Sequence, residues 1–192
     1  MARPKSKDKR DALMGAAARV IAAQGLSAPT AVIAREAGIS NGSLFTYFET
    51  KADLFNSLYL ELKTGMAVAS LEGVPASAPL QDQFAAMWSN WMRWATSHPE
   101  QRRALALLSV SDDVGPEARG ASHEAMAEIA EMVERARAGG PLRDAPMAFV
   151  SALMNSLAEA TMDFMVSDPA HADEHSQAGF GALCRILGDL FF

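Results

Sequence analysis

The sequence predicts an all-α chain: a small N-terminal helix-turn-helix head followed by a larger C-terminal helical domain. Three observations carry this. Apolar residues recur at helical rather than strand spacing, the breaks are short Pro/Gly clusters, and the charge is split unevenly along the chain. With 192 residues, 49% of them apolar and 21% charged, the chain can bury a core in one or two domains. No apolar run approaches the roughly 20 residues of a membrane-spanning helix, so no membrane partner is expected. The alanine-rich stretch after the basic start is cut by Arg19 and Gln24, unlike a secretory signal, which predicts a cytoplasmic protein. The single cysteine, Cys184, excludes an internal disulfide or a thiolate metal cage, and its apolar helical setting predicts a buried, inert thiol.

The elements follow in order. Leu13, Ala17, Val20 and Ile21 share one face of a first helix, which Gly25 stops. Thr30 is placed to cap a short second helix, Ala31 to Ala37, ended by Gly38, and Ser40 to cap a third that runs toward Phe48. Thr50-Lys51-Ala52-Asp53 has the form of a capping box, opening a fourth helix from about Lys51 to about Val68. The Gly/Pro-rich stretch 72–79 interrupts the chain. Beyond it, helices are expected at Leu80–Ser97, Pro99–Val110, Pro116–Ala138, Ala145–Val166 and His175–Phe191.

Through Lys51 the chain carries eight Lys/Arg against four acids, a charge of +4, so with a total of −6 the remainder carries −10. A cationic head on an anionic body suits a polyanion engaged from one end, although a solvated basic tail has the same signature. Ala34, Gly38 and Ile39 sit where a helix-turn-helix needs a small residue, a left-handed backbone and an apolar plug. That spacing also ends ordinary helices. In the third helix Leu44 and Phe48 face inward, leaving Asn41, Ser43, Thr46 and Tyr47 on the outside near the helix start, where a recognition helix reaches base edges. Asn41 and Ser43 could instead serve as caps and Tyr47 as a packing aromatic. Capping needs only Ser40, which leaves the other polar side chains without an evident local role.

The run Thr30–Ser40, then Gly42–Phe48, then Lys51–Leu54 resembles the TetR family of bacterial transcription regulators, most specifically in Tyr47-Phe48 followed by Lys51. The resemblance spans most of the first 60 residues; the remainder agrees only in length and helical character. It implies a DNA-binding head at 1–50, an effector-binding and dimerisation domain at 51–192, and a homodimer on a pseudo-palindromic double-stranded operator. By position, Asn41, Ser43 and Thr46 would approach base edges, while Thr30, Tyr47 and Lys51 would hold phosphates. Helix starts at Thr30 and Lys51 suit anions. Phe45 departs from the tyrosine common in relatives, which assigns it to apolar contact with a thymine methyl or sugar. The tail from Arg3 to Arg10 either adds backbone or minor-groove contacts or is disordered.

In the body, Phe84, Trp88, Trp91 and Ala95 share a face, with Met87, Trp91 and Trp94 beside it. Plain core explains such a stripe. Eleven methionines, and the resemblance, add an adaptable apolar cavity, with Trp88, Trp91, Met126, Met154 and Asn155 as candidate lining for a small effector. Ser151, Asn155 and Glu159 form a polar stripe that faces either solvent or that ligand. Phe180, Leu183, Leu187, Leu190, Phe191 and Phe192 mark the last helix for a dimer interface. Enzyme chemistry, a cofactor and a metal are not expected: His171 and His175, near Asp173 and Glu174, fall in a predicted loop, and no Gly-rich phosphate loop is present. The expected function is a ligand-responsive regulator, in most such families a repressor. A helical small-molecule binder without DNA binding is the alternative.

Overall fold

The computed structural model describes residues 4–188, with side chains from Lys7 onward. Among the described residues it is all-α: ten α-helices, one 3-10 turn and no strand. The chain forms two compact units. One runs through Gly65 and takes in His98–Ala125; the other comprises Met66–Ser97 and the chain from Met126 onward. No described helix is long and apolar enough to cross a membrane.

The first unit contains α1 (Pro4–Gln24), α2 (Thr30–Glu36), α3 (Asn41–Leu44), the first part of α4 (Lys51–Leu71), α6 (Pro99–Ser109) and α7 (Pro116–Ala125). The predicted inner face of α1 is buried at Leu13, Ala17, Val20 and Ile21, and the helix stops at Gly25, whose φ of 79° suits a residue without a side chain. α1 packs on α6 and α2, and α2 on α3. Ile33, Leu44, Phe48, Leu54, Phe55, Leu58 and Leu108 are among the other side chains buried in this core. Surface ion pairs Arg10–Glu61 (3.0 Å) and Arg19–Glu36 (2.9 Å) join α1 to α4 and to α2. Exposed pairs of this kind contribute at most about 1 kcal/mol each.

The second unit contains the end of α4, α5 (Leu80–Ser97), α8 (Ala127–Arg137), α9 (Met147–Ser167), a 3-10 turn (Pro169–His171) and α10 (Ala172–Leu187). α9 packs along α10, and α5 lies against α8, α9 and α10. Phe84, Met87, Trp88, Met92, Met132, Val150, Met162, Leu183, Cys184 and Leu187 are buried there. Two glycines permit close approach. A Cβ on Gly179 would collide with Thr161 Oγ1, and one on Gly140 with the Leu187 carbonyl oxygen.

Four expectations change. Thr30 is the first residue of α2, not its cap; Pro29 occupies the cap with no side-chain bond, its fixed φ of −65° leading into the helix. α3 stops at Leu44 instead of running toward Phe48. Thr46 N–H and Tyr47 N–H bond carbonyls three residues back, at Ser43 (3.2 Å) and Leu44 (2.9 Å), and this tightens the chain out of α-geometry. The helix expected over Pro116–Ala138 is two helices, broken at Met126 (φ −98°, ψ 4°), where neither Gly nor Pro marks a stop. The last helix begins at Ala172, three residues before the expected start at His175, and His171, expected in a loop, ends a 3-10 turn. The expected dimer residues Leu190, Phe191 and Phe192 lie outside the described residues, as does Arg3 at the head of the basic tail.

Candidate nucleic-acid interface

The turn between α2 and α3 is built by backbone bonds. Gly38 N–H donates to Arg35 O (3.1 Å) and Ile39 N–H to Ala34 O (2.9 Å), the paired bonds of a Schellman stop. Gly38 adopts φ 70°, and no atom would crowd a Cβ there, so its glycine answers a backbone requirement alone. Ala34 is buried and Ile39 half-buried beneath the turn. The chain then enters α3 through Ser40, whose Oγ accepts from Ser43 N–H (3.1 Å).

This geometry presents residues 41–47 at the surface of the first unit, with Leu44 and Phe48 turned into its core. Asn41 is exposed and makes no side-chain hydrogen bond among the described residues. Phe45 is 43% exposed. Tyr47 is half-buried, its phenol free of hydrogen bonds among the described residues. Ser43 and Thr46 do have local work, contrary to the sequence argument: the Ser43 and Ser40 hydroxyls share a bond at 2.8 Å, and Thr46 Oγ1 donates to Ser43 O at 2.7 Å. Each hydroxyl keeps acceptor capacity for DNA.

Thr30 is half-buried at the start of α2. The capping box is reciprocal: Thr50 N–H donates to Asp53 Oδ2 (2.9 Å) and Asp53 N–H to Thr50 Oγ1 (3.1 Å). Lys51, next in the chain, is half-buried. Its Nζ donates to Leu26 O at 2.7 Å and lies 5.2 Å from the Phe55 ring centroid. The ammonium thus fastens the start of α4 to the α1–α2 loop, and a phosphate would share it through its remaining N–H groups. Arg35, absent from the expected contacts, is an exposed cation beside the turn without an ion pair among the described residues; it is also the sole base in α2, a signal available in the charge pattern.

The candidate effector residues separate. Trp88 is 1% exposed, its Nε1–H donating to Ser176 O at 3.1 Å, with Trp91 edge-on at 6.0 Å between centroids. Met154 is buried, Trp91 and Met126 are half-buried, and Asn155 is exposed; of the polar stripe, Ser151 and Glu159 are half-buried. Cys184 is buried, and burial pushes its thiol pKa up to about 11, away from thiolate chemistry. His171 Nδ1 and His175 Nε2 both contact the Asp168 carboxylate, at 3.0 and 3.1 Å, and these bonds hold its pKa below the usual carboxylate value.

Residues 13–58 match the model of bacterial regulatory proteins of the tetR family. A tetR-family transcription regulator from Shewanella sp. PV-4 is 27% identical and superposes with a TM-score of 0.81 over 91% of this chain and 95% of its own. One from Marinobacter aquaeolei VT8 is 21% identical, with a TM-score of 0.82 over 95% and 96%. The regulator FadR from Bacillus subtilis, solved with stearoyl-CoA, is 17% identical, with a TM-score of 0.67 over 95% and 100%. The head thus matches the model of the tetR family over residues 13–58, and the whole chain shares its fold with transcription regulators of that family.

Proposed function

We propose that the chain is a ligand-responsive repressor: a homodimer whose two heads occupy the half-sites of a pseudo-palindromic operator, released when a small, largely apolar effector binds the body. The carrying observation is the exposed 41–47 face, where Asn41 has no local bond to satisfy it and the Phe45 ring is open beside it. Asn41, Ser43 and Thr46 read base edges; Phe45 packs on a thymine methyl or sugar; Thr30, Tyr47 and Lys51 hold phosphates. DNA contact belongs to residues 1–50, effector binding and dimerisation to 51–192, and the protein works in the cytoplasm without enzymatic activity of its own. Support for an apolar effector comes from the tryptophan and methionine side chains buried in the second unit, Trp88 and Met154 among them, and from the stearoyl-CoA held by the similarly folded FadR. Release is a population shift: an effector that prefers the arrangement with mis-spaced heads lowers operator affinity by its differential binding energy.

The test is selection from a randomised duplex pool, repeated at two salt concentrations. Wild type should enrich a two-fold symmetric sequence with half-sites about one helical turn apart, roughly 34–36 Å. Asn41→Ala should change the enriched sequence, at about 1–3 kcal/mol per lost base contact, while Tyr47→Phe weakens all sequences alike. No enrichment by wild type would leave the chain a helical ligand binder.

A further inference from the structure

The early end of α3 leaves one carbonyl without its helical donor. In a continuing α-helix Ser43 O would accept from Tyr47 N–H, but Tyr47 N–H goes to Leu44 O (2.9 Å), which Phe48 N–H also reaches (3.1 Å). Ser43 O is left with donors from the turn itself: the N–H groups of Phe45 and Thr46, the latter at 3.2 Å, and the Thr46 hydroxyl, whose Oγ1 lies 2.7 Å away. For an N–H donor 3.2 Å is the long end of the range, whereas 2.7 Å is the optimum for O–H. The hydroxyl therefore supplies what the lost helical N–H would have given, and its proton points inward.

A hydroxyl has one proton and two acceptor lone pairs. With the proton on Ser43 O, the exposed Thr46 side chain offers a partner lone pairs only. Its neighbours differ. Asn41 makes no side-chain bond among the described residues and keeps both amide donors and its acceptor, and the Ser43 hydroxyl shares a bond with Ser40 in which either oxygen can donate. Thr46 alone among the polar readers has a fixed polarity. On the major-groove edge adenine N6 and cytosine N4 are amino donors, while guanine O6 and thymine O4 are acceptors. A lone pair set against a carbonyl oxygen makes no hydrogen bond, and the same holds against a phosphate oxygen.

We infer that Thr46 determines specificity as an acceptor-only reader: at the base it faces it accepts adenine or cytosine and refuses guanine or thymine. The inference rests on the operator reading above, in which Thr46 approaches base edges, and the choice is made by one head on one half-site. To bond guanine O6 or thymine O4, Thr46 would have to withdraw its proton from Ser43 O, so the gain at the base is offset by the bond lost in the turn. The discrimination thus comes from the shortening of α3, which fixes the direction of the hydroxyl before DNA arrives.

The experiment selects from a randomised duplex pool with full-length wild type, Thr46→Ser and Thr46→Val. Wild type and Thr46→Ser should enrich adenine or cytosine on one strand at a position where Thr46→Val, which keeps the shape but not the hydroxyl, shows no such preference. Thr46→Ala serves should Thr46→Val not fold. Deaminating the enriched base, to hypoxanthine or uracil opposite its own pairing partner, then replaces the amino group by a carbonyl. Wild type should lose about threefold to tenfold in affinity and Thr46→Val less than about twofold, a single hydrogen bond being at stake. Guanine or thymine enriched at the position that responds to Thr46→Val overturns the inference alone. So does an equal fall on all sequences, which gives the hydroxyl a structural role only, or a preference that Thr46→Val retains. A wild-type chain that enriches no sequence overturns the DNA-reading function, and this inference with it.

Discussion

Around the recognition turn, the side-chain bonds made by Ser40, Thr46, Thr50 and Asp53 each reach a residue three positions away. In the second unit Trp88 hydrogen-bonds Ser176, 88 positions on, and Gly179 leaves room for Thr161 and Trp88 against its backbone. The recognition turn is therefore shaped by short-range devices that each stabilise a single turn, the helices around it are tied by longer-range contacts such as Lys51 Nζ to Leu26 O, and the second unit is held by contacts that exist only once α5, α9 and α10 are assembled. Short-range devices suit a DNA-reading surface, because they leave the outward side chains unburied while fixing the backbone beneath them. Long-range packing suits a body whose interior sets its own shape.

If this contrast is right, substitutions should rank by how many elements each one couples. Trp88→Ala should have the largest effect, about 3–5 kcal/mol of unfolding free energy in urea, because it empties a site where α5 meets α9 and α10. A cost under about 1 kcal/mol would mean the second unit is not held by that core. Gly140→Ala comes next. Its Cβ would strike the Leu187 carbonyl oxygen, backbone that cannot swing aside, and an overpacked site of this kind costs about 1–3 kcal/mol or more. Gly38→Ala should cost about 1–2 kcal/mol, purely from the left-handed backbone, since nothing crowds its Cβ. Finding Gly38→Ala costlier than Gly140→Ala by thermal melts would reverse the ranking of local and assembled constraints.

The smallest expected effect is acid-dependent. Bonds from His171 and His175 depress the Asp168 pKa in the folded chain, so this carboxylate adds stability above its unfolded value, about 3.9, and loses it as pH falls through the lower folded value. Asp168→Asn should therefore lower the melting temperature slightly at neutral pH and lose less of it between about pH 5 and 3 than wild type does. Parallel pH profiles for the two proteins would remove Asp168 from the acid response.

Legibility followed the same division. Gly25, Gly38, Ser40 and the Thr50–Asp53 box were readable because each stop or cap needs a particular residue at a fixed offset from the backbone group it serves. The break at Met126 was not, since no breaker residue marks it, and the Pro116–Ala138 periodicity continues through it. At the candidate interface the exposure of Asn41 and Thr46 was legible from the inward pair Leu44 and Phe48, whereas Ser43 and Tyr47, expected outward with them, are half-buried. The bonding of Ser43 and Thr46 was hidden, because it comes with the shortening of α3.

Lys51 and Asn56 show where local information runs out. Helical spacing puts both on α4, but only the packed chain brings Leu26 O to the ammonium and the 113–115 loop to the amide. Helix type, caps, turn geometry and the uneven charge were set by residues a few positions apart, since such interactions act on the unfolded chain as readily as on the folded one. Partners for long polar side chains, the split between α7 and α8 and the composition of each compact unit depended on which surfaces were buried against which. That selection comes from summed apolar burial over the whole chain, and no short window of residues contains it.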